Sequence, residues 1–265
     1  MLVKFQYLKA IFPGVVLALV FCLFSQGINN VLAIEIFATE KSPISTVLIA
    51  ILLGILMGNV FNPRPGMMIG LDFTQQYILK LGIVFLGIRL SFADLFKFGS
   101  VAMPLVIFCI LGVLLLIKLL IKKVPISSKM SYLIAIGTSV CGATAIVATA
   151  TVINAKKTEV AYAIANITLF GVIAMLVYPY FAEWYFDNNA LEVGLFLGTS
   201  IHETSQVAAA GLIYDQQFSN PETLDVATVT KLIRNTFLVI LIPLFAFLYN
   251  RGEIKDQKYS IFSIF

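Results

Sequence analysis

The residues of this chain that could do chemistry gather in three places, and two of these are copies of one another. Gly-Thr-Ser occurs within GTSVCGATAIVA from Gly137 and within GTSIHETSQVAA from Gly198, an offset of 198 − 137 = 61 residues. Both strings interrupt apolar stretches with small and hydroxyl residues. At membrane depth irregular backbone survives only where protein or a cavity covers it, because an unpaired N–H or C=O in hydrocarbon costs several kcal/mol. A duplicated break of this kind is the footprint of a transporter's binding site. The alternative is a packing motif, since small residues let membrane helices approach closely.

The candidate ligands follow from the strings. In the first are Gly137, Thr138, Ser139, Cys141 and Thr144; in the second are Gly198, Thr199, Ser200 and Gln206. Ser200 stands three residues before Glu203, the spacing of a capping box, so a half-helix is expected to start there with its N–H groups pointing at the bilayer midplane. Ser139 is expected to cap the corresponding half-helix, with Gly142 in place of the carboxylate. A helix N-terminus without a compensating carboxylate is an anion site. His202, the sole histidine, sits beside Glu203, and the pair suits a proton-coupled step.

The third place is VATVTKLIRNTFLVI, where Thr228, Lys231, Arg234 and Asn235 recur at spacings of three and four and so share one face of a helix. A cation in mid-span costs from about 2.5 to above 10 kcal/mol, so Lys231 and Arg234 demand a partner or a cavity, unless they snorkel to the surface. Glu203 is the one carboxylate in the neighbouring apolar segments, and the surplus positive charge invites an anionic substrate. Asn166 and Ser205 are lesser candidates, as apt to bond a neighbouring helix.

The elements that must hold these residues are membrane helices. The 265-residue chain is 60% hydrophobic and 12% charged, with mean hydropathy +0.96. About 25% charged is usual for a globular surface. Lipid must therefore solvate most of the chain, and no basic cluster points to nucleic acid. Cys22, Cys109 and Cys141 lie inside apolar segments, without a disulfide framework or metal-ligand spacing, and no cofactor motif is present. The N-terminal apolar run reads as an uncleaved first span rather than a signal peptide.

On a template of about 20 apolar residues, six crossings are expected: Ile11–Leu32, Thr46–Phe61, Tyr77–Leu90, Phe98–Leu120, Val160–Tyr180 and Val226–Tyr249. The Gly-Thr-Ser segments occupy Met130–Ile153 and Leu191–Ile213. Lys118, Lys122, Lys123 and Lys129 precede the first and Lys156 and Lys157 follow it, whereas Glu183, Asp187, Glu192, Asp215, Glu222 and Asp225 flank the second. By the positive-inside rule both flanks of the first are cytoplasmic and both flanks of the second external. If both segments re-enter, the lysines and arginines outside spans divide 12 inside to 3 outside (positions 41, 89 and 97); if both cross, the division is 10 to 5. Two hairpins dipping from opposite faces are the better expectation. The fold is thus an all-α polytopic membrane protein of six spans plus two re-entrant hairpins, an inverted repeat in one domain, residues 1–265, with both termini cytoplasmic.

The strings ILLGILMGNVF, LKLGIVFLGIRLSF, GTSVCGATAIVA, EVAYAIANITLFGVIAMLVYP, GLFLGTSIHETSQVAAAG and ATVTKLIRN run in order between about Ile49 and Asn235. They resemble the YeiH-type family of bacterial inner-membrane proteins, often described as sulfate exporters. The resemblance implies an inverted-repeat carrier with discontinuous helices and reaches Ser139, Cys141, Ser200, His202, Gln206, Lys231 and Arg234. Relatives usually continue for several further hydrophobic segments, while this chain stops at KYSIFSIF, where another span would begin. An incomplete second repeat needing a partner, or a truncated product, is expected from that departure.

The function expected is a secondary transporter, not an enzyme, exporting a small anion such as sulfate or a sulfonate with H+ or Na+ as coupling ion. A homo-oligomer stays open. Two other classes compete. A cation antiporter lacks the buried aspartates such sites use. An intramembrane hydrolase built on Ser200 and His202 fails on geometry, because residues two apart do not share a helix face and Gln206 stands where a metalloprotease helix has its second histidine.

Overall fold

The computed structural model describes residues 2–36, 42, 44–60, 65–89, 91–120 and 126–256, and among these all regular structure is helical. Arg64, Lys41, Lys122, Lys123 and Lys258, and the side chains of Lys4, Lys9, Arg89, Lys118, Arg251 and Lys255, lie outside what it describes. Four helices are long and apolar enough to cross a membrane: Ala10–Glu35, Phe92–Ile117, Lys157–Phe186 and Glu222–Phe245.

In chain order the helices are α1 (Leu2–Val31), α2 (Thr46–Val60), α3 (Pro65–Phe73), α4 (Leu79–Arg89), α5 (Phe92–Leu120), α6 (Ser128–Ser139), α7 (Ala143–Val152), α8 (Lys157–Phe186), α9 (Ala190–Ser200), α10 (Thr204–Phe218), α11 (Glu222–Thr236) and α12 (Leu238–Asp256). One π-helical turn, Leu32–Ile36, ends α1, and another, Thr74–Ile78, joins α3 to α4 without a break. The helix at the expected third crossing therefore begins at Pro65, twelve residues before Tyr77. Asp72, Thr74, Gln75 and Gln76 depress the local hydropathy, yet none of them stops a helix, and proline fits a first turn where its missing N–H has no acceptor anyway.

Hydrogen bonds at the helix ends establish the topology. Lys129 at the start of α6 donates to the Asn154 carbonyl just past α7 at 2.9 Å, and the Ser127 hydroxyl donates to Glu159 in the first turn of α8 at 2.5 Å. The two ends of the first Gly-Thr-Ser segment thus meet on one face of the molecule. Leu133 of α6 also packs with Ile146, Ala150 and Ile153 on the α7 side. At the far end of α8, the Tyr214 hydroxyl donates to Glu183 at 2.5 Å and Asn220 donates to the Asn188 carbonyl at 2.9 Å, so the two ends of the second segment meet on the opposite face. Both segments are re-entrant hairpins, and α8, about 45 Å long at 1.5 Å per residue, is the span between them. At 12 and 11 residues, α6 and α9 reach some 17 to 18 Å, just past the middle of a 30 Å core.

The other long helices complete the frame. The Lys97–Glu222 pair at 3.8 Å sets the start of α5 beside the start of α11 on the acidic face. Tyr132 of α6 stacks edge-on against Phe245 and Tyr249, which brings the end of α12 to the base of the first hairpin. Helices α5, α8 and α11–α12 alternate in direction, and each hairpin is clasped between two of them. The whole is an all-α polytopic membrane protein.

Cysteines introduced in a Cys22→Ser background test this arrangement. Lys129→Cys and Lys157→Cys are expected to react with a membrane-impermeant thiol reagent from the same face, and Glu192→Cys from the other. Labelling of positions 129 and 157 from opposite faces would mean that the first segment crosses.

Candidate functional site

The hairpin tips are Val140–Gly142 and Ile201–Glu203, again related by 61 residues. They touch: a Cβ built on Gly142 would lie 3.7 Å from the His202 Cβ. Gly142 has φ +69° and ψ −120°, a conformation that L side chains rarely adopt, and the same Cβ would meet Ile167 at 3.1 Å. Four half-helix ends therefore converge in mid-membrane, the C-termini of α6 and α9 and the N-termini of α7 and α10.

The helix starts differ from the sequence expectation. Ser139 and Ser200 do not cap α7 and α10; they close α6 and α9, and their hydroxyls donate back to the Ala135 and Phe196 carbonyls at 2.7 and 2.5 Å. The N-cap positions are Gly142 and Glu203, neither of which makes a side-chain cap bond. A serine that can bond its own preceding turn lets the helix run on, and the following residues break it instead. The first intrahelical bonds of the new half-helices come from Ile146 to the Gly142 carbonyl and from Val207 to the Glu203 carbonyl. The three N–H groups before each have no intrahelical acceptor.

The opposite ends are closed by two cations. Lys231 is fully buried and its ammonium donates to the Val140 carbonyl at 2.8 Å, to the Ile201 carbonyl at 3.1 Å and to the His202 carbonyl. Arg234, 2% exposed, donates from Nε to the Ser139 carbonyl at 2.9 Å, from Nη1 to the Thr199 carbonyl at 2.6 Å and from Nη2 to the Thr138 carbonyl. Symmetry governs the choice of acceptors, since 201 − 140 = 61 and 199 − 138 = 61. Each cation bridges one pair of repeat-related carbonyls. Neither cation snorkels. The sequence reading gave Lys231 and Arg234 directly to an anion; the structure sets all three Lys231 donors on helix-end carbonyls, because in a dry interior those orphan acceptors need donors before any solute does.

Close helix approach delivers the cations to these acceptors. Gly194 and Gly198, four apart on α9, face α11, and a Cβ at either would fall within 3 Å of Val226 or Thr230. Helices α9 and α11 thus run side by side from the acidic face, in the small-xxx-small manner of membrane helices. Lys231 lies nine residues past Glu222, about 14 Å down the axis at 1.5 Å per residue, where α9 ends.

The remaining predicted residues divide. Asn235 donates to the Thr204 hydroxyl at 3.2 Å, joining α11 to the start of α10, and the buried Asn235 Oδ1 and His202 Nδ1 have no partner. Cys141 is buried at the first tip and Glu203 half-buried at the second. Thr144 is exposed in the first turn of α7. Gly137 packs against Ile146 and Ile167, and Gly198 against α11, so both are positions of close packing. Gln206 leans on α8, donating to the Thr168 carbonyl at 3.4 Å. Sequence reasoning missed Val140, Ile201 and Thr204; the 61-residue repeat relates the first two, but backbone acceptors carry no side-chain signal.

Fold and site define a multi-pass α-helical membrane protein with two inverted, tip-to-tip hairpins. The sequence profile of the family described as conserved hypothetical protein 698 matches residues 13–264, and the chain belongs to that family. Among curated proteins it is similar to UPF0324 membrane proteins, and the YeiH-type resemblance agrees with them. One from Streptococcus agalactiae is 34% identical over 82% of this chain and 64% of its own length. Others are a protein of Fusobacterium nucleatum (34% over 87% and 66%) and one of Pasteurella multocida (36% over 92% and 72%). The chain spans slightly under two thirds of the length of the first of these relatives. No solved structure matches it.

Lys231→Met strips the donor from three buried carbonyls, at about 1–3 kcal/mol each, and is expected to lower the unfolding midpoint in detergent more than any exposed lysine substitution. Arg234→Lys is not expected to restore it, because a single ammonium cannot reach three carbonyls fanned to a guanidinium fork. Gly142→Ala is expected to destabilise by about 1–3 kcal/mol through its backbone conformation.

Proposed function

We propose that the chain is the transport core of a secondary transporter for a small anion, with sulfate or a sulfonate as the substrate class and H+ or Na+ as coupling ion. The observation that carries this reading is the asymmetry at the tips: the C-terminal half-helix ends are bonded by Lys231 and Arg234, while neither N-cap residue, Gly142 or Glu203, bonds the first turn of its half-helix through a side chain.

Counting charge decides the sign. Two helix C-termini contribute about −0.5 each and two N-termini about +0.5 each, which cancel. Lys231 and Arg234 add two positive charges and Glu203 removes one, leaving the junction about one unit positive. A solute of negative charge is what such a junction attracts. No aspartate or glutamate is among the buried described residues, which weighs against a cation antiporter. The unpartnered His202 Nδ1 beside Glu203 supports a proton-linked step. The reading has no enzymatic step, and the Ser200 hydroxyl is committed to the Phe196 carbonyl. Lys129, Lys156 and Lys157 share one face, which by the positive-inside rule supports an inner-membrane orientation with that face and both termini in the cytoplasm.

Thermal unfolding of the purified protein with sulfate, thiosulfate and alkyl sulfonates, against chloride at equal ionic strength, tests this. A ligand at a hundred times its Kd stabilises by about 2.7 kcal/mol, and at least one oxyanion is expected to do so. Ala143→Pro removes one N–H at a first helical position that tolerates proline; it is expected to weaken that shift while leaving the unliganded midpoint near the parent's. Failure of every oxyanion to stabilise the protein or to cross proteoliposomes would overturn the reading.

A further inference from the structure

Among the described residues, three cavities between the helices differ in lining. One of about 650 Å³ between α5 and α11 is walled by side chains such as Leu95, Phe96, Met103, Ile107 and Leu232. Another, of about 340 Å³ between α1 and α2, is walled by Leu17, Phe21 and Met57 among others. Both are surfaces that acyl chains cover without loss. The third, of about 570 Å³, lies where α1 and α2 face α8 and α10, and it gathers Gln26, Thr46, Ser205, Gln206 and Gln216 from three helices onto one space. Side chains of this kind are costly against lipid and mark water-filled cavities inside membrane proteins. At about 30 Å³ per water, the space holds roughly twenty.

Its two ends lie at different depths. Ser205 is the second residue of α10, beside the second hairpin tip, and Gln216 is in its last turn, beside the base of that hairpin on the acidic face. Eleven residues separate them, about 16 Å along the axis. Gln206, 6% exposed, also lines the inner part, but its amide is held against α8, where Nε2 donates to the Thr168 carbonyl and Oε1 packs on Gly171. The opposite end of the molecule, where α7 meets α6, contributes nothing to this lining.

We infer that this cavity is a one-sided aqueous vestibule through which the anion reaches the α10 N-terminus from the acidic face, with Ser205, Thr46, Gln26 and Gln216 as its uncharged ligands on the way. The inference rests on the anion reading above and adds the route, the face to which the protein is open, and a role for α1 and α2. Amides and hydroxyls set among Val47, Ala50, Ile51, Met175 and Ala209 strip part of the hydration shell of an oxyanion without trapping it, and leave the charge to the junction at the tips. Selectivity then falls to hydrogen-bond geometry along the vestibule.

Cysteine accessibility tests it in the full chain with Cys22→Ser, since Cys22 also lines the wall. Ser205→Cys and Thr46→Cys are expected to react with a charged, membrane-impermeant methanethiosulfonate from the face that labels Glu192→Cys. From the face that labels Lys157→Cys, that labelling is expected to be lost. Leu169→Cys, on the exposed apolar side of α8, is the unreactive reference. If Ser205→Cys does not fold, Thr46→Cys on α2 carries the measurement alone. Absence of reaction from either face, or reaction from both, overturns the vestibule. The two readings separate cleanly. Reaction from the expected face without protection or stabilisation by any oxyanion keeps the vestibule and removes the anion; stabilisation by sulfate with both cysteines unreacted keeps the anion and removes the vestibule.

Discussion

A carbonyl at the end of a half-helix inside a membrane has no water to accept from, and four of them at each break would be ruinous if left alone. In this protein the interruption of two helices at mid-depth is possible because Lys231 and Arg234 reach both sets of orphan carbonyls at once. The burial of the two cations and the breaking of the two helices are one event: each group is prohibitively costly in hydrocarbon without the other. Removing water from that junction strengthens every bond in it, so the tips are held where the dielectric is lowest.

The pseudo-two-fold relation makes this economical. Repeat-related carbonyls from opposite hairpins come within reach of a single head group, so one ammonium and one guanidinium do for two hairpins what four capping residues would do in isolation. The cations themselves have no counterpart 61 residues earlier, where Phe170 and Ile173 stand. Structural symmetry is served by an asymmetric helix, and that asymmetry leaves the N-terminal end of α7 without a carboxylate, while Glu203 stands at the start of α10. Close packing of α9 on α11 through Gly194 and Gly198 is what brings an otherwise apolar span near enough to act as the brace.

Much of this was legible in the residues. Lipid solvation, the re-entrant character of both Gly-Thr-Ser segments and the alternation of faces followed from hydropathy and from where lysines and carboxylates fall; six crossings were expected, and four of the described helices are long and apolar enough to cross. The polar stripe of Lys231, Arg234 and Asn235 pointed at the junction. The start of the helix ending at Arg89 was misplaced because Asp72, Gln75 and Gln76 resemble a loop in a hydropathy window while costing a helix little. The caps were misread for a related reason: Ser139 and Ser200 satisfy themselves on the turn before, an option as open to serine as capping is.

What the one-dimensional chain decided is periodicity and its interruptions, since a repeat of 61 residues with small residues at fixed places obliges the backbone to break twice in the same way and the charge pattern sends the breaks to opposite faces. What only the folded arrangement decided is the assignment of partners. Lys231 and Arg234 carry the same charge whether they hold a solute or a carbonyl, and the acceptors they chose belong to the backbone, which is chemically identical at every position. Only the convergence of α6, α9 and α11 in space distinguishes Val140 and Ile201 from any other residue, and only the juxtaposition of α1 and α2 with α10 turns scattered glutamines, serines and threonines into one polar cavity.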